Sequence, residues 1–109
     1  MPFVETGTTR VSYSVEGRGD GLVLVHGTGG DGFSNWGPLV RHFSDRRKVV
    51  CPDLAGSGAT TDDGGPLSLP ALADQVLAAA RAADALPCDL VGFSLGAVVA
   101  AWIAAEHPS

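Results

Sequence analysis

Gly92-Phe93-Ser94-Leu95-Gly96 is the stretch of this chain best suited to covalent chemistry. It joins a β-prone run at 89–91 to an apolar run that begins at Leu95, the context of a serine nucleophile on an abrupt strand-to-helix turn. Such a turn strains the backbone at Ser94 and exposes its hydroxyl, and glycines at 92 and 96 remove the side chains that would collide there. The helix that follows points its dipole and free N–H groups at the oxygen of an attacked carbonyl. A plainer reading gives Gly92 and Gly96 to helix–strand packing and makes Ser94 a helix cap. His26-Gly27-Thr28-Gly29-Gly30 follows a second β-prone run, 22–25. A loop of this type supplies one N–H to an oxyanion, and the residue after the nucleophile supplies the other. The N–H groups of Thr28 and Leu95 are therefore the expected oxyanion hole, with His26 and Gly27 supporting it. Alone, the same loop reads as a glycine-rich turn with His26 as a hydrogen-bonding strut.

A nucleophilic serine needs a base, and the sequence offers none in place. After Ser94 only Glu106 and His107 could serve. At ~1.5 Å rise per residue His107 lies about 20 Å along the helix from Ser94, against the ~3 Å that proton transfer requires. It reads better as a residue at the negative end of the helix dipole. His42 falls on an earlier helix, at the surface or half-buried. Asp53 ends a strand at the edge where α/β sheets place their sites. Cys51 and Cys88 fall at opposite sheet edges, too far apart to bridge. Trp36 reads as a core aromatic or a pocket-mouth residue. Nothing calls for a metal or an organic cofactor.

Gly27-Thr28-Gly29-Gly30-Asp31-Gly32 also satisfies G-x-G-x-x-G, with Asp53 about 20 residues on, as a dinucleotide site asks. That fingerprint works only where its glycines run straight into a helix. The expected gap here, 33–37, separates them from a helix opened by Pro38, and the Ser94 turn would have no role.

The elements that must position these residues follow from hydrophobic period. Residues 11–15 alternate apolar and polar, and 3–6 do so more weakly, so the two are expected to pair as a hairpin across Gly7-Thr8-Thr9. The continuous runs 22–25 and 48–51 read as strands buried on both faces, the second stopped by Pro52. Helices are expected at 38–43, at 68–85 with Ser68 as N-cap, and at 95–106. The order β-β-β-α-β-α-β-α argues a parallel α/β sheet with right-handed crossovers. The last helix offers no polar face and expects protein on all sides.

HGTGG, then Pro52-Asp53-Leu54-Ala55-Gly56-Ser57-Gly58, then GFSLG, in this order, resemble the N-terminal half of the α/β-hydrolase superfamily. The chain is similar to its small serine esterases, enol-lactone hydrolases, carbon–carbon bond hydrolases and cofactor-free haloperoxidases. The resemblance covers almost the whole of residues 1–109. It implies strand order 1-2-4-3-5 with helices on both faces, and a structural role for Asp53 in the pocket wall. It also implies an ester, thioester, lactone or related C–C bond as substrate, cleaved through an acyl-enzyme on Ser94. Family members carry Ser, acid and His in that chain order. By that comparison the cap and the C-terminal acid and His segment are absent here, and activity of the 109 residues alone is doubtful. The alternative is a catalytically inactive half-domain that binds a partner.

Composition bounds the rest. A chain of 109 residues, 45% apolar and 17% charged, suits one small domain with a core. A net charge of −5 and no basic run beyond residues 46–48 argue against nucleic acid and anionic membranes. No stretch reaches the roughly 20 apolar residues of a membrane helix. Residues 1–10 lack a signal-peptide pattern, and the two cysteines suit reduced thiols in the cytoplasm. The expected partners are a small acyl substrate and a complementary C-terminal segment or a second copy. An open fifth strand and an uncovered last helix (Val98, Val99, Trp102, Ile103) would make the chain unstable or self-associating.

Overall fold

In the computed structural model, residues 2–7, 9–27, 32–54, 60, 68–86 and 88–106 are described. The eight expected elements form in the expected order: β1 (Phe3–Thr6), β2 (Thr9–Glu16), β3 (Asp20–Val25), α1 (Gly32–Phe43), β4 (Arg47–Pro52), α2 (Leu69–Ala82), β5 (Cys88–Gly92) and α3 (Leu95–Glu106). They build one five-stranded sheet in the order β1-β2-β4-β3-β5. The sheet is mixed. β1 runs antiparallel to β2 and β2 to β4, while β4 and β5 flank β3 in parallel. The parallel half carries the site.

Side-chain alternation puts a core on each face. Leu22, Leu24, Val49 and Cys51 meet Trp36 and Val40 of α1. Val23, Val25 and Val50 meet Leu72, Val76 and Ala79 of α2 with Val99 and Ile103 of α3. Helices therefore cover both faces. α2 starts where the sequence places it: the Ser68 hydroxyl accepts from the Ala71 N–H at 3.2 Å, a cap of the kind that contributes about 1 kcal/mol.

Three local expectations are corrected. α1 begins at Gly32, six residues before Pro38, which lies inside the helix. A proline there loses one backbone bond. The gain that offsets it is burial of Trp36, which sits one turn before Val40 and is only 8% exposed. This settles Trp36 as core, while Leu39 and Phe43 of the same helix are exposed. The five residues expected to separate the glycines from the helix are thus helical themselves, and that gap no longer counts against a dinucleotide site. Pro52 does not stop β4 but is its last residue, paired with Tyr13.

The third correction concerns α3. It is not stripped of cover: Gly96, Val99 and Ile103, one face at helical spacing, are buried against the sheet and α2, and Trp102 is half-buried. Large apolar residues near its start that are exposed include Val98 on α3, Val91 on β5 and Phe93 between them. Both cysteines are free, as their places at opposite strand ends imply. Burial pushes the Cys51 thiol up to about 11, which leaves it inert. Among the described residues no helix is long and apolar enough to cross a membrane.

Candidate active site

The parallel strands β3, β4 and β5 end together, and the residues singled out by type lie just past those ends. Val25 pairs with Gly92, and the Phe93 N–H donates to the Val25 carbonyl at 3.1 Å. This register sets His26 and Gly27 beside Phe93 and Ser94.

Ser94 has φ of 57°, one of two non-glycine residues with positive φ among those described. That conformation costs a residue with a Cβ roughly 1–2 kcal/mol. The turn is closed by the Gly96 N–H on the Phe93 carbonyl at 2.9 Å and the Ala97 N–H on the Ser94 carbonyl at 3.0 Å. Ser94 itself is exposed. Leu95 opens α3, where the first N–H groups have no carbonyl within the helix and are free to face a ligand.

The glycines have distinct reasons to be glycine. A Cβ on Gly92 would meet the backbone of Gly96, and one on Gly96 would meet the carbonyl oxygens of Val25 and His26. Helix and strand therefore touch backbone to backbone. A Cβ on Gly27 would come within 3.0 Å of both the Phe93 ring and the Ser94 Cβ. The loop after β3 thus lies directly against the serine. Thr28, the expected oxyanion donor on that loop, and Gly29 and Gly30 lie outside the described residues.

His26 is 1% exposed, and both ring nitrogens are engaged. Nδ1 is 2.8 Å from the Gly27 carbonyl oxygen, which only accepts, so Nδ1 carries the hydrogen. Nε2 receives the Leu54 N–H at 2.9 Å, so it carries the lone pair. The imidazole is a neutral Nδ1–H tautomer with no lone pair left to take a proton from Ser94. His42 is exposed on α1 near Asp45 and Arg46, which lead into the start of β4, at the far end of the strands. Glu106 ends α3, the helix that begins beside Ser94. His107 lies outside the described residues. Among those described, none is positioned as the base.

Asp53 is buried and bound through its backbone. Its N–H donates to the Ser12 carbonyl at 2.8 Å, and its own carbonyl accepts from the Thr60 hydroxyl at 2.6 Å. The same hydroxyl accepts from the Ser12 N–H at 2.8 Å. Thr60 therefore clips the loop after β4 to β2. Sequence reasoning missed it, since a threonine in a loop carries no pattern; the only hint is that Ser12, inside a strand, is polar and buried.

An open cavity of about 410 Å³ lies at the opposite end of the strands, lined by Asp20, Arg47, Asp84, Cys88 and Asp89. The Arg47–Asp89 ion pair at 2.9 Å is largely exposed and worth little. It is not near Ser94. No cluster able to hold a metal ion occurs among the described residues.

Residues 21–109 match the family model described as alpha/beta hydrolase fold. The pyrrolizixenacetamide deacetylase of Xenorhabdus hominickii is 52% identical over 108 residues, covering 99% of this chain and 41% of that protein. The pimeloyl-[acyl-carrier protein] methyl ester esterase of Aeromonas hydrophila is 41% identical over 103 residues, covering 90% of this chain and 38% of that protein. Among solved structures, Est816, described as an N-acyl homoserine lactone degrading enzyme, superposes with a TM-score of 0.92 at 26% identity, over 98% of this chain and 41% of that one. The chain spans about two fifths of the length of these proteins.

Proposed function

This chain belongs to the α/β-hydrolase family, and from that we propose that it supplies the nucleophile and the oxyanion hole of an enzyme that cleaves small acyl compounds. The observation that carries this is the backbone at Ser94: positive φ, exposed side chain, and Gly27 packed against it. A protein stores strain of this kind where it aims a reacting atom. In the proposed reaction the Ser94 oxygen attacks the acyl carbonyl, and its proton passes to a base outside the described residues. The N–H groups of Leu95 and Thr28 hold the oxyanion. The bond to the leaving group then breaks, the leaving group departs with the proton, and water hydrolyses the acyl-enzyme.

The family resemblance implies esters, thioesters, lactones and related C–C bonds. The relative at 52% identity is named a deacetylase of an acetamide, so amides join the list, and a short acyl amide or ester is the substrate class we propose. No cofactor enters these steps. Two free cysteines suit a reducing compartment, and cytoplasmic location is part of the proposal. The test is a fluorophosphonate probe on the complete native gene product containing this chain, with a panel of acetamides and acyl esters. An adduct mapped to Ser94 and turnover on the panel are expected; an adduct elsewhere, or tight binding of NAD with no turnover, would overturn it.

A second role is favoured by the uncovered edge. β5 is the last strand of the sheet, and Val91, Phe93 and Val98 are 43%, 59% and 53% exposed beside it. Covering each would contribute up to ~1.5–3 kcal/mol, and the strand offers unpaired backbone groups to a partner. The proposed partner is a complementary segment bearing the acid and His, with self-association in its absence. The isolated 109 residues should sediment as dimers or larger at tens of micromolar. A compact monomer with a cooperative melt would count against it.

A further inference from the structure

We propose that Phe93 is a specificity-determining residue, its ring receiving an uncharged, apolar substituent of the carbonyl that Ser94 attacks. The inference rests on the acyl-transfer role of Ser94 proposed above and names the substrate chemistry of that same site.

Phe93 occupies the turn between β5 and α3, with Val91 before it on the strand and Val98 after it on the helix. Its backbone is fixed at both ends. The N–H donates to the Val25 carbonyl at 3.1 Å, and the carbonyl accepts from the Gly96 N–H at 2.9 Å. From that held position the side chain leans across the end of β3, away from the open edge of β5. Its Cδ2 carbon is 3.0 Å from the place a Cβ on Gly27 would take, and the Ser94 Cβ stands at 3.0 Å from the same point. Ring and nucleophile therefore flank one spot, and glycine at 27 leaves it open.

The ring rests on Gly27 along one side and is still 59% exposed, more than any other large apolar residue among those described. At the open edge of the sheet such exposure would suit a covering segment. Beside an exposed serine, at the ends of parallel strands where α/β sheets receive ligands, it suits a substrate. An aromatic side chain there offers a broad apolar surface.

Charge decides what the ring receives. The described residues that meet at this turn are Gly27, Gly92, Phe93, Ser94 and Gly96, and none of them carries a charge. A carboxylate brought against the ring would lose water without gaining a cation. An alkyl or aryl group gains by leaving water.

The complete native gene product carries the test. In Phe93→Ala, kcat/KM is expected to fall roughly 10-fold more for a butanoyl ester than for the acetyl ester of the same alcohol. A second set, with acetyl fixed and the alcohol lengthened, shows which side of the carbonyl meets the ring. Phe93→Leu should recover most of the loss. Phe93→Arg should shift preference from butanoyl toward hemisuccinyl esters by about 10-fold, a change that a merely structural role would not produce.

Binding is read separately in Ser94→Ala protein, titrated with butanamide and with N-butylacetamide. Adding Phe93→Ala should weaken one of the two about fivefold or more. Losses that do not grow with chain length on either side of the carbonyl, or unchanged binding of both amides, overturn the proposal. So does a melting temperature that falls by several degrees in Phe93→Ala, since that ring would then be packed by the chain and not by substrate. Turnover that survives Ser94→Ala defeats the nucleophile assignment alone, because the titration reads Phe93 without it.

Discussion

Ser94→Ala should lower kcat of the complete gene product by about 10⁶-fold, leaving a rate only ~10³-fold above the uncatalysed reaction. The loss is large because no other group replaces the oxygen that forms the acyl-enzyme. The residue that remains is the work of the oxyanion donors and of binding. Alanine has the same Cβ as serine and pays the same cost at φ of 57°, so the variant should fold as the parent does. An unchanged urea midpoint together with the lost turnover and lost fluorophosphonate labelling is the expected combination. Labelling that persists in the variant would remove Ser94 from the role.

Gly96→Ala should lower stability by about 3 kcal/mol. The new Cβ would fall on the carbonyl oxygens of Val25 and His26, which belong to β3, paired on both sides, and to its end, and cannot swing aside. α3 would have to lift from β3, and Val99 and Ile103, at 0% and 3% exposure, would lose their packing. Since whole domains are stable by only ~5–15 kcal/mol, the change is a substantial part of the total. Gly7→Ala is the control. Gly7 has positive φ but nothing within 4 Å of its Cβ position, so about 1 kcal/mol of backbone strain is all it should cost. Chemical denaturation of the three proteins decides it: a Gly96→Ala midpoint within error of the parent would mean that helix and strand are not in backbone contact.

The features legible in the sequence are those written in short windows. The glycines at 92 and 96 with an apolar run on either side announced the turn, and the structure shows the positive φ and the backbone contacts that such spacing serves. Uninterrupted valine and leucine marked the buried strands for the same reason. The start of α1 was hidden because Pro38 is a strong local signal, and what outweighs it is the burial of Trp36 against strands far away in the chain. The apolar sequence of α3 revealed that it wants cover but not which face obtains it, because that depends on where β3 and α2 lie. The Thr60 clip was invisible for a different reason: its partners are 7 and 48 positions away, and a single hydroxyl has no periodicity.

The strand order has a consequence for the newborn chain. β3 lies between β4 and β5, and both are synthesised after it. As the polypeptide leaves the ribosome, the middle strand of the parallel trio has neither of its neighbours, while the β1–β2 hairpin, local and antiparallel, can close at once. β4 then joins the hairpin to β3, and only the arrival of β5 completes the pairing and brings Ser94 up against Gly27. Of the described elements, β5 and α3, which flank Ser94, are the last to arrive, and a chain halted before β5 would leave β3 as an open edge of the sheet.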